Sequence, residues 1–201
     1  KPRHVLRALS GDLEKRHRLV KELEELQVGR HRLSRYRFTH SLFQSFLYNS
    51  LGAGERRLLR GEIGRALEAL YQEHTDEVAV QLARHFHEAD IPEKAVIYLI
   101  RAGDQARALY AHDEAERFYL DATEIQSQRG DDEQAARTWM KLGLVHTAAF
   151  ESEQASHAYE RAFELWEPLR ESGHVPSALP PPGVLRFALE EPSTLDPGSM
   201  G

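Results

Sequence analysis

The sequence predicts an all-α fold made of helical hairpins, with one small basic β-hairpin near its N-terminal end. Apolar residues recur at three- and four-residue intervals from about residue 41 to residue 170. Short polar breaks divide this stretch into segments of about one to two dozen residues. Before residue 171, strand-like alternation is confined to the stretch that ends at His40.

Composition excludes several classes of protein and of site. The 201 residues are 41% hydrophobic and 29% charged, which is typical of a soluble globular protein. Cysteine is absent, so disulfides, thiolate catalysis and Cys-ligated zinc are excluded. There is no long apolar stretch and no signal-peptide h-region, so we expect a cytoplasmic protein without membrane contact. Because the chain begins without Met, we also expect a longer parent protein.

Charge is distributed unevenly along the chain. Residues 1–70 contain 15 Lys/Arg and 8 Asp/Glu, whereas residues 71–201 contain 11 Lys/Arg and 24 Asp/Glu. This split indicates two functional parts, of which the basic one could face phosphates or an acidic neighbour.

The first fifty residues predict helix, hairpin and helix in that order. The segment "DLEKRHRLVKELEEL" has the apolar spacing of a helix, and "GRHRLSRYRFTH" predicts a weak basic hairpin. After His40 an amphipathic helix is predicted from the stripe Leu42, Phe43, Phe46, Leu47 and Leu51. A helix, another helix and then a basic hairpin is the order found in the latter part of a winged helix, which this region resembles, so residues 1–50 are interpreted as a partial winged helix.

Residues 51–171 contain an internal repeat. One copy follows the pattern W-x2-L-G-x11-A-x3-Y-x2-A, with Trp139, Leu142, Gly143, Ala155, Tyr159, Ala162 and then Pro168. It resembles a tetratricopeptide repeat (TPR), although His146 stands where an aromatic residue is usual. A fainter copy lies forty residues earlier, at Leu99, Ala102, Gly103, Ala115, Tyr119 and Ala122. Its first helix is expected to merge into the long segment "IPEKAVIYLIRAGDQARALYA".

The TPR resemblance implies a concave groove for a protein or peptide. The groove positions are Ile100, Asp104, Arg107, Arg137, Met140, Leu144, Thr147 and Ala148. The Lys/Asn clamp that some TPR proteins use for C-terminal carboxylates is missing from this sequence.

Residues 36–122 are similar to the region after the NTPase in bacterial STAND-type (MalT-like) signalling ATPases. "YRFTHSLFQSFLYNSL" and "EKAVIYLIRAGDQARALYAHDEA" carry the likeness. It implies an upstream NTPase domain in the parent chain, with His40 as a nucleotide sensor and Phe38 as its packing neighbour. Ser41 replaces the Asp of the related Met-His-Asp motif. The alternative is that His40 caps the helix or fills a polar gap.

The C-terminal residues predict a linker and the start of another domain. Residues 172–183 are Pro-rich, and residues 184–201 predict a strand followed by a Pro-bounded loop. Pro192, Leu195, Asp196 and Pro197 give this tail a resemblance to the opening of family 5 extracellular solute-binding proteins. We expect its apolar row, Leu185, Phe187 and Leu189, to dock in the groove around Met140 and Leu144.

Catalytic and cofactor chemistry is not predicted. His85 and His87 are two residues apart on a helix and point in different directions, so they cannot share a metal ion. No G-x-x-x-x-G-K-[ST], G-x-S-x-G or H-E-x-x-H motif is present. We therefore expect a non-enzymatic interaction arm of a signalling ATPase or regulator, without cofactor or metal.

Two alternatives remain open at this stage. The chain could be the TPR portion of a transport-associated solute-binding fusion protein, because of its tail. It could also be a DNA-binding regulator that uses Arg30, Arg32, Arg35 and Arg37 as wing contacts, although we expect nucleic acid to be the less favoured partner.

Overall fold

The computed structural model describes residues 8–28 and 31–171. Its elements are α1 (Ala8–Arg16, π-helical), β1 (Val20–Val28), β2 (His31–Phe38), α2 (Ser41–Ser50), α3 (Ala53–Tyr71), a 3₁₀ segment (Gln72–Val78), α4 (Ala79–Glu88), α5 (Pro92–Ala108), α6 (His112–Gln128), α7 (Asp132–Ala148) and α8 (Ser152–Glu171). The described chain is thus predominantly helical, as predicted. It forms two compact units, which divide between Tyr98 and Leu99. The predicted linker at 172–183 and tail at 184–201 lie outside the described residues, and the predicted domain boundaries stay predictions.

The N-terminal hairpin is longer than predicted and replaces the second half of a predicted helix. Strand β1 pairs antiparallel with β2, from Val20 opposite Phe38 to Val28 opposite His31. The helix expected over "DLEKRHRLVKELEEL" is wrong, because α1 ends at Arg16 and β1 begins at Val20 after a short turn. Helical spacing is a weak local preference, whereas β2 supplies backbone partners for β1 from Val20 to Val28, and one opposed pair carries complementary charge. In that pair, Glu24 Oε1 lies 3.0 Å from Arg35 Nη1.

In the first unit, α3 packs against α4 through a glycine. A Cβ atom added at Gly64 would lie only 2.9 Å from Cε1 of Phe86, so the two helices approach closely there. Phe86 stacks on Tyr98, with ring centroids 5.7 Å apart. The Tyr98 hydroxyl and the Lys94 ammonium both donate to the carboxylate of Glu68 on α3. These contacts tie α3, α4 and the start of α5 together.

The helices of the second unit are set by a repeated turn. Helices α6, α7 and α8 begin at residues 112, 132 and 152, a regular spacing of 20 residues. The turns contain Tyr110, Gly130 and Phe150 in the left-handed region, with φ values of 58°, 70° and 63°. In each turn the following N–H donates to the carbonyl five residues back, at 2.9–3.0 Å. This bond pattern satisfies the last carbonyls of each helix and ends it at a fixed position.

Close approach within each helical pair again depends on glycine. A Cβ atom at Gly103 would lie 2.6 Å from Tyr119 Cε1, and one at Gly143 would lie 2.3 Å from Tyr159 Cε1. These two pairs are forty residues apart, as the repeat predicts. The first helix of the earlier repeat was expected to merge into a longer segment. This expectation is wrong, because that helix is α5, which is 17 residues long like α7 and ends at Ala108. Within residues 8–28 and 31–171, no helix combines the length and hydropathy that a membrane crossing requires.

Candidate protein-interaction surfaces

His40 lies at the junction between β2 and α2, where the sequence placed it. Its backbone is extended (φ −132°, ψ 131°) and its carbonyl accepts the N–H of Phe43 at 3.2 Å. The imidazole makes no capping hydrogen bond and is exposed, with its ring 6.1 Å from the ring of Phe43. A side-chain cap is therefore not its role. The nucleotide-sensor role stays a prediction about the intact parent protein.

Helices α2 and α3 present an exposed apolar surface, which we call the α2–α3 face. Leu42 is 81% exposed, and Phe46 and Leu58 are each 70% exposed. The surface also includes Phe43, Leu47, Leu59 and Ile63. Scattered exposed leucines are ordinary on protein surfaces, but large apolar residues clustered on two consecutive helices are typical of a binding surface.

A basic cavity of about 410 Å³ adjoins this face. Arg56 and Arg60 lie over the ring of Tyr48, with their guanidinium carbons 5.2 and 5.4 Å from its centroid. A hydrogen bond from Arg60 lowers the pKa of the Tyr48 hydroxyl. Arg60 also pairs with Glu88 at 2.7 Å. The cavity therefore combines apolar walls with a positively charged edge.

His85 and His87 on α4 differ in their environment. His85 Nδ1 lies 3.5 Å from Arg60 Nη1, and burial, followed by the nearby Arg60 charge, lowers the pKa of His85. His87 is exposed to solvent. Among the described residues, no group of three His, Asp or Glu side chains is placed to hold a metal ion.

The predicted groove residues of α7 differ in how far their side chains are buried. Arg137, Leu144 and Ala148 lie on a solvent-facing stripe of α7 that also contains Lys141. Met140 is only 6% exposed and packs in the core with Tyr159 and Trp166, so its prediction as a groove residue is wrong. The helical period places Met140 beside the solvent-facing stripe, but the rings of Tyr159 and Trp166 on α8 cover its side chain.

The other predicted positions differ in burial and in their hydrogen bonds. The Thr147 hydroxyl donates to the Gly143 carbonyl at 2.8 Å and lies 3.1 Å from the Tyr159 hydroxyl. Ile100 is half-buried, and Arg107 is exposed. Whether these residues bind a partner stays a prediction.

Asp104 is the centre of a polar cluster that the sequence analysis only partly identified. Its carboxylate accepts a hydrogen bond from the Tyr119 hydroxyl and two from the Lys141 ammonium, all at 2.7 Å. Burial and the bond to Asp104 raise the pKa of Tyr119. Lys141 was missed because its partner is 37 residues away, a separation that no local pattern reveals.

A second surface of the unit, which we call the α6–α8 cleft, was missed altogether. It has a volume of about 510 Å³, with α7 as its floor and α6 and α8 as its walls. Its lining residues are Glu116, Leu120, Trp139, Leu142, His146, Glu153, Gln154, His157 and Ala158. The single sequence signal was His146, which departs from the TPR pattern at a position that the fold buries.

His146 is a buried polar residue at the floor of this cleft. Its side chain is 6% exposed, and Nδ1 donates to Glu151 Oε2 at 2.7 Å. Nε2 lies 3.9 Å from Glu116 Oε1 on α6. Trp139 meets His157 edge to face, with ring centroids 6.1 Å apart. The cleft therefore brings carboxylates, imidazoles and an indole together.

The chain is similar to a known protein over part of its length. No family model matches the chain, and no solved structure matches it. The chain is 29% identical over 139 residues to an uncharacterized protein of Rhizobium meliloti (strain 1021). The match covers 65% of this chain and 13% of that protein, so the chain spans a small part of the relative's length.

Proposed function

We propose that this chain is a non-catalytic, protein-binding arm of a larger signalling ATPase or transcriptional regulator. In this proposal the α2–α3 face docks on a neighbouring domain, for which the STAND resemblance implies an upstream NTPase. His40 then lies at the edge of that interface as the nucleotide sensor. The helices of the second unit form a TPR-like superhelix that presents a groove to a protein or peptide.

The observation that carries this proposal is the exposure of the α2–α3 face. Leu42, Phe46 and Leu58 are each at least 70% exposed. Burying one such side chain contributes about 1.5–3 kcal/mol, so a neighbour that covers all three gains substantial binding energy. Arg56 beside the face favours a partner with an acidic residue at the rim, whereas the charge of Arg60 is partly neutralised by Glu88.

The regular repeat of the second unit supports a scaffold function. Its helices recur at a fixed 20-residue spacing, and its Gly–Tyr contacts recur at forty residues. Repeats of this kind bury their core between neighbours and leave one stripe of each helix accessible to a partner. On α7 that stripe contains the exposed Leu144 and Ala148, beside Arg137 and Lys141, which pair with Glu133 and Asp104.

The structure gives less support to DNA binding. Of the proposed wing arginines, Arg35 is paired with Glu24, so its charge is partly neutralised within the hairpin. Arg32 and Arg37 are exposed, and Arg30 lies outside the described residues. The solute-binding alternative depends on the tail, which also lies outside them.

A site-specific photo-crosslinking experiment tests the proposal. Benzoyl-phenylalanine replaces Phe46 in the protein expressed from its own gene, and cross-linked peptides are identified by mass spectrometry. The matched control is Phe150, which is 93% exposed in the turn between α7 and α8. We expect position 46 to cross-link to one defined protein surface, and position 150 to give only background. Equal background yields at both positions would refute the docking role of the α2–α3 face.

A further inference from the structure

The α6–α8 cleft is separate from the surface that the proposed groove uses. On α7, Leu142 and His146 line the cleft, whereas Leu144 and Ala148 lie on the solvent-facing stripe. Leu142 is two residues from Leu144, and His146 is two residues from Ala148, a separation of about 200° around a helix. A ligand in the cleft would therefore contact the opposite side of α7 from a ligand in the groove.

The charge of the cleft is acidic and incompletely neutralised. Glu116 and Glu153 line it from opposite walls, and no Lys or Arg is among the lining residues. The ion contact of Glu116 within the described residues is His146 Nε2, at 3.9 Å. Glu153 has no ion pair in the described part of the chain. The C-terminal two thirds of the sequence, residues 71–201, is itself acidic, with 24 Asp/Glu against 11 Lys/Arg.

The cleft also contains an aromatic residue suited to cations. Trp139 is half-buried at the floor, beside Leu142 and the imidazole of His157. An indole attracts an ammonium or guanidinium group, and Trp is the strongest of the aromatic residues in this respect. The aliphatic part of a long basic side chain would pack against Leu120, which is 39% exposed. Carboxylates on two walls and an indole between them fit such a side chain.

From these observations we propose that the α6–α8 cleft binds an arginine or lysine side chain from a basic segment of a partner protein. The size of the cleft, about 510 Å³, is within the range of ligand pockets and leaves room for residues that flank the basic one. This proposal names a second surface and its partner chemistry. It stands independently of the α2–α3 face.

The test uses a defined probe and the two tryptophans of the chain. The probe is an acetylated and amidated nine-residue peptide in which three arginines alternate with Gly-Ser pairs. Its control contains citrulline in place of arginine, which keeps the shape and removes the charge. Trp139 lines the cleft, whereas Trp166 is buried in the core with Met140 and Tyr159. In nitrogen-edited NMR spectra we expect the arginine peptide to shift the indole signal of Trp139 and leave that of Trp166 unchanged.

Neutral variants then locate the binding site. Glu116→Gln and Glu153→Gln should each weaken the affinity for the arginine peptide about two- to fivefold. Glu114→Gln is the control, because it removes the same charge from an exposed residue of α6 that does not line the cleft. It should leave the affinity unchanged. The proposal is overturned if the peptide does not shift Trp139, if citrulline binds equally well, or if Glu114→Gln weakens binding as much as Glu116→Gln.

Discussion

Helices α2 and α7 are both amphipathic, but their surroundings within their own units are opposite. None of the residues of α2 is buried, whereas eight residues of α7 are buried against α6 and α8. The apolar spacing therefore determines which face of a helix is apolar. The rest of the fold determines whether another helix covers that face. The uncovered face of α2 is why the docking surface that we propose lies in the first unit.

The two helices also differ in the size of their apolar side chains. Helix α7 carries Ala135, Ala136 and Gly143, small residues that let neighbouring helices approach closely. Helix α2 carries Leu42, Phe43, Phe46 and Leu47. Bulky residues of this kind are suited to filling a partner's pockets, as in binding surfaces.

The largest expected difference is between two leucine truncations, one on each helix. Leu142→Ala removes a side chain that is 2% exposed and should lower the free energy of unfolding by about 2–5 kcal/mol. Leu42→Ala removes one that is 81% exposed and should change it by less than about 0.5 kcal/mol. Urea denaturation followed by circular dichroism measures both. A similar cost for the two variants would show that α2 is covered in the chain itself.

A smaller difference is expected between two glycines. Gly143→Leu places side-chain atoms where even a Cβ would lie 2.3 Å from Tyr159, and should destabilise by roughly 1–3 kcal/mol through overpacking. Gly54→Leu, at the start of α3, has nothing within 4 Å of its Cβ position. It should stabilise slightly, by about 0.5 kcal/mol, because Gly is a poor helix former. Equal melting temperatures for the two variants would contradict the close contact between α7 and α8.

The smallest expected difference is between two tyrosine hydroxyls. Tyr119→Phe removes the bond to Asp104 and should cost about 1 kcal/mol at neutral pH. Because the folded-state pKa of Tyr119 is raised above 10.0, its contribution is present below pH 10 and lost as the pH rises further. Tyr48 has a lowered pKa, so its contribution has the opposite sign, appearing at alkaline pH and fading as the pH falls.

Unfolding measured between pH 8 and 11 separates these two tyrosines. Tyr119→Phe should remove part of the alkaline loss of stability, and Tyr48→Phe should make that loss slightly steeper. If Tyr119→Phe leaves the alkaline slope unchanged, the hydroxyl is not held against Asp104 in solution.

Local sequence patterns predicted the helices and one close contact well. Gly143 was placed against α8 because a glycine and an alanine at this spacing mark where two helices approach. His40 was placed at a strand-to-helix junction because the apolar period changes there from two to 3.6. Both features depend on residues close together in the chain.

The features that were missed depend on residues far apart in the chain. Strand β1 has a helical apolar spacing, and only its pairing with β2 makes it a strand. Met140 lies at the edge of the predicted groove, and only the rings of α8 bury it. The α6–α8 cleft requires residues from three helices, so no single segment could indicate it.

Hydroxyl-radical footprinting of Phe46 tests the central claim, that the α2–α3 face is a docking surface, most directly. The oxidation rate of Phe46 is compared between the purified 201-residue chain and the protein in cells that express it from its own gene, with the exposed Phe150 as internal reference. We predict that Phe46 oxidises readily in the purified chain and at least about tenfold more slowly, relative to Phe150, in the cell, because a docked neighbour excludes solvent. The same ratio of Phe46 to Phe150 oxidation in both samples would contradict the claim.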